Sequence, residues 1–123
     1  MSCQTDAINP AHYQREGVGF ECNELASLYG FNTGNIVKYV WRYRAKNGVE
    51  DLRKARWYAN AIQDVDLEAG GYPVGTNTHE MLYRLESVAA DPQEWLVWHA
   101  LRMKDLELLR YALDRLVEQE EAR

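Results

Sequence analysis

Asn32-Thr33-Gly34-Asn35-Ile36-Val37-Lys38-Tyr39-Val40-Trp41-Arg42-Tyr43-Arg44-Ala45-Lys46, then Asn47-Gly48, then Val49-Glu50-Asp51-Leu52, contains two helical periods and the break between them. At 100° per residue Ile36, Val40 and Tyr43 share one side, which is a core face. Asn35, Lys38, Arg42 and Lys46 share the opposite edge as a polar, cationic stripe. Asn47-Gly48 is a helix stop, and Glu50 with Asp51 places acids at the positive end of the next helix. The spacing predicts helices over residues 34–46 and 50–69, joined as an αα-hairpin, with Asn32 and Thr33 supplying capping oxygens to the first. Leu52, Ala55, Tyr58, Ala59, Ile62 and Val65 give the second its apolar period, and Gly70-Gly71 ends it.

Upstream, Pro10, Gly17 and Gly19 describe an irregular arm leading to a short helix over residues 21–29, closed by Gly30. Downstream, residues 70–77 read as a linker. Thr78 is a cap for a further helix, and Asp91-Pro92 is a cap and first-turn pair for another beginning near Gln93. Leu101, Leu106, Leu109, Leu113 and Leu116, with Trp95 and Trp98, form an apolar stripe opposite Glu107, Asp114, Glu118, Glu120 and Glu121. With few other elements to cover it, that stripe suggests packing between subunits. No alternating strand pattern or internal repeat competes. The expectation is an all-α fold, a helical hairpin core with additional C-terminal helices, oligomeric. Residues 1–71 form the arm and ligand-binding region and residues 72–123 the linker and oligomerising helices, within one compact domain.

A chain of 123 residues has room for one core. Hydrophobic residues at 46% and charged residues at 27% describe a globular protein, and four Trp and eight Tyr exclude an acidic disordered tail. No apolar run approaches the roughly 20 residues of a membrane span, and the first residues lack the basic start and apolar stretch of a signal peptide. A cytoplasmic protein with no membrane partner is expected, with Cys3 and Cys22 as free thiols. His12, His79 and His99 lack metal-site spacing relative to them, so no metal and no cofactor is expected.

The net charge of −5 is unevenly distributed: residues 1–60 carry +2 and residues 61–123 carry −7. Between Lys38 and Arg56 seven cations face two acids. A local basic cluster in an acidic protein is a poor surface for duplex nucleic acid but suits a small phosphorylated anion. Arg42 can bind phosphate bidentately, Lys38 and Lys46 act as point charges, and Asn35 can donate and accept toward a base or ribose. Lys54 lies close behind Asp51 in the next helix and joins them if the hairpin is tight. Trp41 and Trp57 are candidates for base stacking, whereas Tyr43 and Tyr58 are assigned to the core. His12, with Tyr13 in the arm, can fold over a ligand as hydrogen-bond donor or proton carrier. There is no P-loop and no Gly-x-Gly-x-x-Gly turn, and no His and acid accompany Ser27 as a triad.

Four ordered blocks carry a resemblance: Asn9-Pro10-x-His12-Tyr13; Gly19-Phe20-Glu21-Cys22; Gly30-Phe31-x-x-Gly34-Asn35-x-x-Lys38-Tyr39-x-Trp41-Arg42; and Glu50-Asp51-Leu52-x-Lys54-Ala55-x-Trp57-Tyr58. Over residues 9–62 they resemble a bacteriophage family of unknown-function domains related to the nucleotide kinase of a short-tailed coliphage. The resemblance implies a nucleotide site at His12, Tyr13, Asn35, Lys38, Arg42, Asp51 and Lys54, in a homo-oligomer of the infected cell's cytoplasm. Tyr43-Arg44 stands where that family commonly has Gly after the Trp-Arg pair.

Three functions follow. The first is sequestration, without turnover, of a phosphorylated or cyclic nucleotide such as a host defence signal. The second is a metal-independent nucleoside monophosphate kinase with His12 as proton carrier. The third is an interaction protein built on the C-terminal helices, which predicts no nucleotide affinity. Cationic and stacking contacts suffice for the first, whereas a kinase must also align donor and acceptor and neutralise the moving phosphoryl group.

Overall fold

Apolar residues at helical spacing need a partner surface, and each helix finds one within the chain. The computed structural model describes residue 15, residues 17–70 and residues 77–123. These contain six α-helices and no strand: α1 (Cys22–Ala26), α2 (Phe31–Arg42), α3 (Val49–Ala61), α4 (Thr78–Val88), α5 (Pro92–Met103) and α6 (Leu106–Glu121). Two short 3-10 turns, Tyr43–Ala45 and Asp64–Leu67, follow α2 and α3. Helix α1 packs on α2, α2 on α3, α3 on α6, α6 on α5, and α5 on α4. A single core unites the two halves of the sequence, from Leu25, Ile36, Val40, Tyr43 and Leu52 to Leu85, Trp98, Leu109, Leu113 and Leu116.

The predicted boundaries shift where a local interaction outcompetes propensity. Helix α2 starts at Phe31, so Asn32 and Thr33 lie inside its first turn and Gly30 holds the cap position without a side-chain bond. Thr33 is buried, its Oγ1 donating to the Asp66 carbonyl (2.8 Å). The helix gives way to a 3-10 turn at Tyr43, whose carbonyl accepts from Gly48 N–H at 2.8 Å. Gly48 has φ +56°, a region that disfavours a Cβ. Gly34 is required for another reason: a Cβ there would stand 2.8 Å from the Ala26 carbonyl oxygen, where α1 crosses α2.

Helix α3 ends at Ala61 rather than near Ala69. Arg110 of α6 donates to the Ala59 and Ile62 carbonyls (3.0 and 2.8 Å), satisfying acceptors that a longer helix would have used internally. Asn77, one residue before the expected Thr78, caps α4 by accepting from Glu80 N–H. Asp91 caps α5 as expected, accepting from Gln93 and Glu94 N–H, with Pro92 in the first turn.

The leucine stripe is covered by its own chain. Leu101, Leu109, Leu113 and Leu116 are fully buried, Leu106 nearly so, and Trp98 is buried beside them. The leucines and Trp98 are covered by the packing of α3, α5 and α6, whereas Trp95 of the same predicted stripe is 38% exposed. No helix among the described residues is long and apolar enough to cross a membrane.

Candidate functional site

Lys38, Arg42 and Lys54 converge on one ring. The Nζ atoms of Lys38 and Lys54 lie 4.4 and 5.5 Å from the centroid of Tyr39, and the Arg42 guanidinium lies 4.9 Å from it. These distances are within reach of a cation–π attraction, which offsets part of the repulsion between the three charges. Helical geometry brings them there: Lys38 adjoins Tyr39, Arg42 follows it by three residues, and α3 packs Lys54 against the same face. The sequence contained that i, i+3 signal, but Tyr39 was not selected by it. The cations also extend their field to α1, where Lys38 and Arg42 with Arg15 oppose burial of the Cys22 thiol. Burial dominates, and the thiol is pushed up to about 12. Cys22 is free and buried.

Arg42 is not on an open stripe. It is only 7% exposed, and its Nε and Nη2 donate to Asp51 at 3.2 and 3.1 Å. Asp51 is fully buried and also accepts from Asn47 N–H at 3.2 Å. The pair therefore ties the end of α2 to the start of α3, and the charges of Arg42 and Asp51 offset each other. Lys38 has no carboxylate partner among the described residues, and Lys54 has a loose one in Glu50 at 3.9 Å. Asn35 donates its amide N–H to the Phe31 carbonyl (2.9 Å). His12 and Tyr13 lie outside the described residues.

The aromatic assignments separate cleanly. Trp41 is buried and packs on Phe20 at 5.7 Å, which removes it as a stacking surface. Trp57 is 66% exposed and Phe31 is 77% exposed. Tyr43 is in the core as expected, whereas Tyr58 is half-buried and lies between three rings. Tyr39 stacks on it (6.1 Å, 17°), while Phe31 (6.1 Å, 75°) and Trp57 (5.2 Å, 89°) meet it edge to face.

Residues 8–60 match DUF3310, a family described as a protein of unknown function. The DUF3310 match covers fewer than half of the 123 residues and spans every one of the seven candidate site positions. It attaches no activity to them. No curated protein and no solved structure matches the chain.

A second polar centre joins the DUF3310-matching segment to the C-terminal helices. Glu94 of α5, fully buried, accepts from Arg15 Nη1 (2.7 Å), Arg44 Nε (3.2 Å), Trp98 Nε1 (3.1 Å) and Tyr43 Oη (3.5 Å). Arg15 also donates to the Val40 and Trp41 carbonyls at the end of α2. Burial and the neighbouring Glu94 carboxylate push the Tyr43 hydroxyl well above its ordinary value, so it remains a neutral donor. Every charge in this centre has an opposite partner, which makes it a structural brace. Elsewhere a cleft of about 370 Å³ is floored by Leu67, Leu82 and Leu101. Its cations Arg102 and Lys104 are paired with Glu86 and Glu68. Among the described residues no group of acids, histidines and cysteines is arranged to hold a metal ion.

Proposed function

We propose that the protein binds a phosphorylated nucleotide on the α2–α3 face and holds it without turnover. The observation that carries this reading is the convergence of Lys38 and Lys54 on Tyr39 beside the Arg42–Asp51 pair. Lys38 and Lys54 are the phosphate ligands. Arg42 keeps Asp51 neutralised and adds a directional N–H fork at the edge of the site, and Asn35 contacts base or ribose. The ligand class includes linear and cyclic nucleotides such as those made as signals in an infected cell.

Binding without chemistry is favoured because the acids beside these lysines are already engaged. Asp51 is held by Arg42 and the Asn47 N–H, and Glu50 stands against Lys54. Asp51 so held offers no free carboxylate to an acceptor hydroxyl, whereas holding an anion asks only for the cations and the ring.

The test is calorimetric titration with nucleoside mono-, di- and triphosphates and cyclic nucleotides, followed by chromatography of the nucleotides after denaturation. At least one should bind and be recovered unchanged, and Lys38→Ala or Lys54→Ala should weaken it more than tenfold. Absence of affinity across the panel would remove the reading. Diphosphate formed from a monophosphate and a triphosphate would replace it with a kinase.

A further inference from the structure

Phe31 and Trp57 are large apolar side chains left in water by a chain that fully buries Trp98 and nearly buries Trp41. They are not scattered. Both meet the Tyr58 ring, and Tyr58 in turn stacks on Tyr39, the ring around which the cations gather. An exposed aromatic surface of this kind marks a contact for something else. Its neighbours say what kind. Lys54 lies on the same helix, three residues before Trp57 and four before Tyr58, so one side of the patch is cationic and the other is π surface.

Two occupants fit an aromatic patch: a second protein surface or a planar ligand. A two-fold contact between copies brings the same patch against itself, which gathers the cations of both copies into one interface, an unfavourable concentration of like charge. A nucleotide carries the complementary features in one molecule, an anion at one end and a flat ring at the other. We infer that the Phe31–Tyr58–Trp57 ladder is the base-binding subsite of the α2–α3 face, with Trp57 the principal stacking surface. This rests on the phosphate role given above to Lys38 and Lys54. Recognition by stacking tolerates every base, because each has a π face, and ranks them by stacking strength. The ladder's polar groups are the Tyr58 hydroxyl and the Trp57 indole N–H, too few to read one base edge, so ring area decides: purines should bind more tightly than pyrimidines, and neither exclusively.

The experiment compares adenosine 5′-monophosphate, cytidine 5′-monophosphate and ribose 5-phosphate on the full chain, by calorimetry and tryptophan fluorescence. The adenine nucleotide should bind several-fold more tightly than the cytosine nucleotide, and about tenfold more tightly than ribose 5-phosphate. Only the two nucleotides should quench fluorescence. Trp57→Ala should lower the adenine nucleotide to the affinity of ribose 5-phosphate while leaving ribose 5-phosphate unchanged. Trp57→Phe should restore most of the affinity and remove the quenching. Trp57 is exposed, so neither variant threatens the fold.

Equal affinity of the wild type for the adenine nucleotide and ribose 5-phosphate would overturn the subsite and leave the phosphate site standing. An unchanged nucleotide affinity in Trp57→Ala would do the same. If that variant instead lowered the sedimenting mass, the ladder would be a contact between copies. Failure of all three ligands to bind would overturn the phosphate reading, and the subsite with it.

Discussion

Two clusters of charge in this protein are built to opposite rules. Around Glu94 one buried carboxylate collects donors from Arg15, Arg44, Tyr43 and Trp98, and Asp91 also pairs with Arg44, so two cations meet two acids and the charges neutralise one another. Around Tyr39 three cations gather on a neutral ring, and the buried acid beside them, Asp51, is matched to Arg42. A satisfied cluster holds elements together, whereas one with surplus charge has capacity for a ligand. The contrast also explains why Arg42, the most attractive phosphate ligand by residue type, is less diagnostic than the lysines beside it.

The largest expected effect comes from breaking the satisfied cluster. Glu94→Ala strips Arg15, Arg44 and Trp98 of a shared acceptor, and removal of one partner from a buried pair costs about 3–5 kcal/mol. Chemical denaturation should show a loss of that size. Lys38→Ala, by contrast, should lie within about 0.5 kcal/mol of the parent, as surface changes do. Equal losses in the two variants would erase the distinction between brace and binding face.

Arg42→Ala sharpens it. The variant leaves Asp51 buried without its counter-ion and should also cost about 3–5 kcal/mol, so any loss of nucleotide affinity is confounded by unfolding. The double change Arg42→Met with Asp51→Leu should recover much of that stability. Recovery of stability without nucleotide affinity would give Arg42 or Asp51 a direct part in binding, while recovery of both would confine the pair to scaffolding.

The smallest effect concerns acid. Burial pushes the Asp91 carboxyl upward, but the Glu94 N–H, Arg44 and Gln119 outweigh it and hold the group below its ordinary value. A depressed carboxylate stabilises the fold above its unfolded pKa, near about 3.9, and the contribution is lost as pH falls through the lower folded value. The melting temperature should therefore decline below about pH 4, and Asp91→Ala should flatten that decline. The variant should also cost about 1 kcal/mol at neutral pH through the lost helix cap.

Sequence periodicity made the helices legible because buried side chains recur at helical spacing: Ile36 and Val40 on α2, Tyr43 in the turn that follows it, and Leu52, Ala55 and Ala59 on α3 are fully buried. Asp91-Pro92 was legible because capping is local chemistry. The early end of α3 was not, since the side chain that takes its last carbonyls, Arg110, comes from 48 residues beyond Ile62. Lys38 and Lys54 were found by charge alone. The ring that unites them was missed because Tyr39 lies off the main apolar face, and only the packing of α3 gives it a role. Glu94 looked like one of many acids in an acidic half, and nothing in its neighbours foretold that Arg15 and Arg44 would fold onto it.

Arg110 reaching back to α3, with Leu109, Leu113 and Leu116 in the same core as Leu52, has a consequence for how the molecule can be cut. The region of recognisable similarity stops at residue 60, but the helix that covers α3 begins at Leu106. A boundary drawn by similarity is thus not a boundary of cooperativity. Residues 8–60 expressed alone would expose the apolar face of α3 and lose the Glu94 acceptor, and should unfold or aggregate. The part of the chain that carries the candidate site depends for its folding on the part beyond the DUF3310 match.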